Sequence, residues 1–360
     1  MPDPKEIQRR LKLIGQGLRE QKLDAYFVFD RANTYYATGF HCTSSYLLIT
    51  RDSSQFLTDF RYIEAARQSI TTSEVILHKQ SPLEDITQIM KKLHIRRLGV
   101  ERNLPYGMAL EYAAKLAPVE LVADDAPVAK ARIRKSKGEL DSIREAVRRA
   151  DAAYIDLTHD VEEGWTELQV RNRLRRLLER HGGEKESFDS IIATGANASR
   201  PHAVPGEAAL QLGDIVQIDT GLIYHHYCSD LSRVMCVGRA SQKLSAIHRI
   251  VVDAQRRAIE AIRPGVKASE VDARARDYIT RKGYGKNFGH GLGHGVGLEI
   301  HEPPTLRATS TDVLEEGMVV TVEPGIYIPG FGGIRIEDMG VVTKDGFEDM
   351  TTSPREIIVI

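Results

Sequence analysis

The chain has no apolar run approaching the roughly 20 residues that a bilayer-spanning helix needs, which argues against a membrane span. Residues 1–10 are charged and lack the apolar core of a secretory signal, so a cytoplasmic protein is expected. Cysteine is scarce: Cys42, Cys228 and Cys236 cannot build a disulfide framework, and none sits in a CxxC pair. Neither charge sign is in excess, with Lys+Arg 49 against Asp+Glu 50 and a formal net charge of -1. No basic block stands out, so neither nucleic acid nor an anionic membrane is an expected partner. Low-complexity segments and short-period repeats are also missing. What remains is ordinary soluble composition, 42% hydrophobic and 28% charged, in 360 residues. That length is large for a single core, so two domains are expected.

The first domain is read over residues 1–126. Ile7, Leu11, Ile14 and Leu18 give a helical period across 4–22. Strand-like alternation follows at 25–29, 46–50, 55–58, 74–78, 98–101 and 120–122, with helices near 61–69, 84–93 and 107–116. Interleaved strands and helices indicate an α/β layer domain. The segment NTYYATGF at 33–40 reads as a strand end and turn. Residues 124–136 lose the apolar period and read as a linker into the second domain, 127–360. There helices are expected at 137–158, 166–181, 241–262 and 268–282. His181–Gly182–Gly183 is a good helix stop. The rest is strands and turns, which makes this half α+β with a largely antiparallel sheet.

Residues 288–304, FGHGLGHGVGLEIHEPP, gather His290, His294 and His301 among closely spaced glycines. Each interior Gly costs a helix about 1 kcal/mol relative to Ala, so a helical zinc motif is excluded. In an extended chain, His290 and His294 share a face. A Gly-rich loop with surface histidines is the plain alternative.

Four acids close strand-like segments nearby. GDIVQIDTG ends at Asp219, CSDLSRV carries Asp230, VVTVEPG brings Glu323, and GIRIED sets Arg335 and Glu337 on one face against Ile334 and Ile336. A turn between Tyr224 and His225 would set Asp219 opposite Asp230. Each acid alone is as well explained by a solvated strand face. Together they would repel and take up protons unless a cation sat among them. Two divalent ions balance four carboxylates. Oxygen ligands with one imidazole suit Mn or Co, with Fe or Zn as the other options.

These residues resemble the pita-bread metallopeptidases, in particular the Xaa-Pro group that contains prolidase and aminopeptidase P. The resemblance covers nearly the whole chain, and NTYYATGF and TDFRYIEAA are similar to that family's smaller, creatinase-type domain. It implies a creatinase/aminopeptidase-like catalytic domain and a homodimer. It also implies two divalent ions held by Asp219, Asp230, His294, Glu323 and Glu337, with Asp230 and Glu337 bridging. His202, His290 and His301 correspond to the family's outer histidines. Two positions depart from the usual pattern: His226 stands where Gly usually precedes the Tyr of the hairpin, and Ser232 where Thr is common.

The implied activity is hydrolysis of the bond between an N-terminal residue and proline in short peptides. A metal-activated water would attack the carbonyl. His290 and His301 are the candidates to donate to its oxygen, His202 and His301 to contact substrate, and Glu323 to carry the proton to the leaving nitrogen. Arg335 would reach the mouth of the site and either brace a ligand or clasp a substrate carboxylate. A creatinase-like C–N hydrolase or a non-catalytic pita-bread protein would lack some of the five ligands. A methionine aminopeptidase usually lacks the N-terminal domain.

Overall fold

The computed structural model describes residues 2–78 and 81–360; Met1, Lys79 and Gln80 lie outside the described residues. The chain splits into two units, Met1–Arg132 and Ile133–Ile360.

In the first unit, helix α1 (Pro4–Glu20) begins where the Asp3 carboxylate accepts the Lys5 N–H at 2.8 Å. It buries Ile7, Ile14 and Leu18. Six strands follow: β1 (Ala25–Val28), β2 (Tyr46–Thr50), β3 (Ser54–Thr58), β4 (Glu74–Leu77), β5 (Arg97–Val100) and β6 (Glu120–Ala123). They form one mixed sheet in the order β4-β3-β2-β1-β5-β6.

Residues 33–40, expected as a strand end and turn, lie instead in helix α2 (Arg31–Thr38) and its cap. Asp30 starts this helix by accepting the N–H groups of Ala32 and Asn33 at 2.8 and 3.1 Å. Gly39 ends it in the left-handed region, at φ 70°. The tyrosines that suggested a strand are buried, and tertiary packing outweighs their β preference. Helices α3 (Ile63–Ser69), α4 (Pro82–Lys92) and α5 (Tyr106–Leu116) occupy the expected positions.

The expected linker is also helical. Helix α6 (Ala126–Arg132) belongs to the first unit, so the division falls after Arg132 and not after residue 126. Its backbone comes so close to α1 that a Cβ on Gly17 would lie 2.8 Å from the Pro127 Cα. The Tyr36 hydroxyl donates to the Ala131 carbonyl at 2.6 Å.

The second unit opens with α7 (Lys137–Asp160), where the Glu139 carboxylate accepts the Ser136 N–H at 2.9 Å, and α8 (Glu167–Arg180), started by a capping box of Thr166 with Gln169. Next come β7 (Lys185–Glu186), β8 (Ile191–Thr194), β9 (Ile215–Thr220), β10 (Leu222–Tyr224), β11 (Tyr227–Cys228) and β12 (Leu231–Cys236). Helices α9 (Gln242–Ile259) and α10 (Ala268–Arg281) precede β13 (Gly293–Gly295), β14 (Glu302–Leu306) and β15 (Val319–Val322). The chain ends with β16 (Gly325–Ile328), β17 (Gly332–Arg335), β18 (Asp338–Val342), β19 (Phe347–Asp349) and β20 (Ile358–Val359). The two larger sheets have the orders β20-β12-β9-β8 and β14-β13-β15-β18-β19.

One apolar cluster packs α7 and α8 on the first sheet through Ala150, Leu174, Val216, Ile218 and Met235. Another packs α9 and α10 against Val320, Val322, Ile334 and Ile336. Strand alternation then turns Gln217, Asp219, Thr321, Glu323, Arg335 and Glu337 to the opposite faces. Among the described residues no helix is long and apolar enough to cross a membrane.

Candidate active site

Asp219 stands near the end of β9 and pairs across the hairpin with Ser232, not with Asp230. The expected register fails because of the turn. His225 and His226 form a two-residue loop with φ of 48° and 69°, which pairs Tyr224 with Tyr227. Positive φ at both positions is the primed-turn geometry that matches strand twist, and it normally favours Gly or Asn. Between the two halves of the hairpin, a Cβ on Gly221 would lie 1.9 Å from the Ser229 carbonyl oxygen, so only glycine fits there. Asp230 follows this pinch and lies one diagonal step from Asp219, near enough for their charges to interact.

The other acids come from the second large sheet and its edge. Glu323 follows β15. Glu337 lies between β17 and β18, where its N–H donates to the Ser232 carbonyl at 3.1 Å and its Oε2 accepts the Ser232 hydroxyl at 2.9 Å. His294 is central in β13, with Nδ1 3.1 Å from the Gly295 carbonyl. A carbonyl only accepts, so Nδ1 carries the proton and Nε2 presents a lone pair. That Nε2 lies 3.4 Å from Glu323 Oε1 and 3.5 Å from Asp230 Oδ2.

The electrostatics of the cluster are those of a site built for positive charge. Burial, and then the charges of Asp219 and Glu323, push the Asp230 carboxyl well above its usual range. Burial and then Asp230 do the same to Glu337. Glu323 is pushed up to about 8, first by burial. Burial holds His294 down to about 4, which keeps the imidazole neutral. Asp230, His294 and Glu337 each offer a ligand atom, all within 4.8 Å of one another. Asp219 Oδ1 is buried with no hydrogen-bond partner. An orphaned carboxylate oxygen beside such a set fits divalent cations.

Arg335 is almost fully buried and does not reach the mouth of the site. Its Nε–H donates to the Ser232 hydroxyl at 2.8 Å. One Nη donates to the Tyr327 hydroxyl at 2.8 Å and the Pro201 carbonyl at 3.2 Å, and the other is paired with Asp219 Oδ2. Of the two expected roles, the brace on a ligand fits and the clasp on a substrate carboxylate does not, because the planar fork is committed to internal acceptors.

His290 is committed as well. Its Nδ1 lies 2.7 Å from the Gly291 carbonyl and its Nε2 3.0 Å from the Tyr327 hydroxyl. Burial and then the Arg335 charge lower its pKa to about 4, so the neutral ring donates through Nδ1 and accepts through Nε2. No N–H is left for a substrate oxygen, which corrects the expected donor role. His301 keeps that capacity. It is exposed, and its ring lies edge-on to His294 at 4.3 Å. His202 is exposed too, on the loop before β9.

The four acids, the His294 imidazole, His202, His290, His301 and Arg335 all line one cavity of about 590 Å³. Sequence reasoning missed Tyr327, the hydroxyl that joins Arg335 to His290. Its signal is local: Gly333 faces Tyr327 across the β16–β17 pair, and a Cβ there would meet the ring at 2.7 Å. Arg171 and the apolar Phe188, Val204 and Ile300 were also missed as wall residues.

Residues 141–344 match metallopeptidase family M24, and residues 10–134 match the Creatinase/Prolidase N-terminal domain. The chain belongs to metallopeptidase family M24. Membership carries divalent metal ions and the pita-bread catalytic fold with it. An Xaa-Pro dipeptidase of Pyrococcus horikoshii is 36% identical over 353 residues, 98% of this chain and 99% of that one. The structure of an Xaa-Pro dipeptidase from Bacillus anthracis superposes with a TM-score of 0.95 at 38% identity, covering 98% of this chain and 100% of the other. That of an X-Pro aminopeptidase from Thermotoga maritima gives 0.88 at 32% identity, covering 96% and 100%.

Proposed function

We propose that this metallopeptidase is an Xaa-Pro dipeptidase that uses two divalent ions, Mn or Co by the oxygen-rich donor set, held by Asp219, Asp230, His294, Glu323 and Glu337. The observation that carries the reading is the buried cluster of acids around the His294 lone pair, opening on a cavity with an apolar wall. Its resemblance to the two dipeptidases supplies the proline specificity. A cytoplasmic homodimer belongs to the same reading.

Bound there, the ions supply Lewis acidity and an activated water. The protein's own groups do the remaining work. The free amine of the substrate lies at the metal end of the cavity. Phe188, Val204 and Ile300 form an apolar wall against which a proline ring packs and sheds water. His301 donates to the carbonyl oxygen as negative charge develops on it. Glu323, through its second carboxylate oxygen, carries the proton of the attacking water to the leaving imide nitrogen. His202 orients the substrate from the exposed loop.

The test is a peptide panel on the metal-loaded protein: Ala-Pro, Ala-Pro-Ala and Ala-Ala. Ala-Pro is expected to be cleaved fastest and Ala-Ala hardly at all. Good hydrolysis of the tripeptide with the dipeptide untouched would make the protein an aminopeptidase P instead. The assignment of His202 has its own check. Changing His202 to Ala should lower turnover by about tenfold to a hundredfold while metal content stays at the parent level. Loss of metal in that variant would move His202 among the ligands.

A further inference from the structure

A short peptide carries an ammonium at one end and a carboxylate at the other. The first end lies at the metal site. The second needs a cation, and Arg335 is committed to Asp219, Ser232, Tyr327 and the Pro201 carbonyl. We propose that Arg171 receives the C-terminal carboxylate of an Xaa-Pro dipeptide and thereby sets the preference for substrates of that length. The inference rests on the Xaa-Pro reading above and adds the residue that recognises the far end of the substrate.

Arg171 projects from α8 into the same cavity as the acids. Val170 and Leu174 are fully buried in the core beneath it, so the helix that carries it is firmly seated. Its helical neighbours are spoken for: Arg173 is paired with Asp160 at 2.7 Å and Arg175 with Glu186 at 2.6 Å. Arg171 differs. Among the described residues its guanidinium hydrogen-bonds only to the amide oxygen of Asn172, at 2.9 and 3.3 Å, and forms no ion pair. Asp189 shares the wall, is exposed, and is not within ion-pair distance of it.

A planar fork beside an apolar wall is well suited to a prolyl carboxylate. The ring would pack on Phe188, Val204 and Ile300 while the two oxygens accept paired N–H groups. A tripeptide places a peptide carbonyl, without charge, where the dipeptide places its carboxylate. The attraction is then lost, and length discrimination follows from electrostatics without a steric stop.

The experiment compares Ala-Pro with alanylprolinamide, which differs only in lacking the terminal charge, on the parent and on Arg171→Met and Arg171→Lys. The parent should favour the free acid by about tenfold or more in kcat/KM. In Arg171→Met the KM for Ala-Pro should rise about tenfold with little change in kcat, while the constants for the amide stay put. Arg171→Lys, keeping the charge and losing the fork, should fall between. An Arg171→Met enzyme that still prefers the free acid overturns the proposal, as does an equal loss on both substrates, the mark of a purely structural role. A parent that cleaves both substrates equally well removes Arg171 from recognition and leaves the peptidase reading intact. A parent that cleaves neither brings down the Xaa-Pro reading and the role of Arg171 with it.

Discussion

Replacing Asp230 by Asn should cut turnover by about a thousandfold or more, beyond the ~10–100-fold cost typical of outer-shell changes at metal sites. The two side chains have nearly the same shape, so the pinch at Gly221 and the β9–β12 register should survive. What changes is charge and donor type. Asp230 is fully enclosed, with Asp219, Glu323 and Glu337 as its electrostatic neighbours and His294 Nε2 at 3.5 Å. An amide there removes one anionic ligand oxygen and places N–H groups in its stead, so bound metal should fall with activity. The bare protein should be no less stable than its parent, because one of four mutually repelling carboxyls has gone. Metal content by elemental analysis, thermal melting with chelator and turnover on Ala-Pro are the three readouts. A purified variant with normal turnover and a full complement of metal would remove Asp230 from the site.

The residues of this cluster were legible in the sequence because strand alternation is a two-state code. Val216 and Ile218 must face the helices, which leaves Asp219 facing the cavity, and the same logic serves Val320 and Val322 with Glu323, and Ile334 and Ile336 with Glu337. Alternation says nothing of register, though. The pairing of Asp219 shifts by two residues, from Asp230 to Ser232, because His225 and His226 adopt left-handed backbone that neither side chain advertises. The helix at Arg31–Thr38 was hidden for a related reason. Its start depends on the Asp30 cap and its end on Gly39, while the Tyr-rich interior carries the opposite preference. Helix Ala126–Arg132 owes its stability to contact with α1, a tertiary cause that local composition cannot report.

Side-chain partnerships were the least legible part. Arg335 was placed on the correct face, but its destination depends on Tyr327, Ser232 and Pro201 arriving from three other segments. The same holds for His290, whose ring is fixed by Tyr327 from β16. Spacing in one segment locates such a residue and leaves its partners open.

Arg335→Lys should lower kcat by about tenfold to a hundredfold on every substrate, with KM nearly unchanged. The guanidinium spans Asp219, the Ser232 hydroxyl that also serves Glu337, the Tyr327 hydroxyl and the Pro201 carbonyl. Lysine keeps the positive charge and can satisfy one or two of these acceptors, never the whole fan. Tyr327 would then lose its donor, and its hydrogen bond to His290 Nε2 would no longer be aimed. Asp219 would lose the contact that fixes one oxygen while Oδ1 stays free for a ligand. Metal affinity should therefore weaken along with kcat, and dipeptides and tripeptides should suffer alike. The contrast with Arg171 makes the pair of variants informative. One should change catalysis at every length, and the other recognition of a terminal carboxylate. A rise in KM confined to dipeptides in Arg335→Lys would reverse the assignment and return the clasp to Arg335, at the cost of its buried contacts.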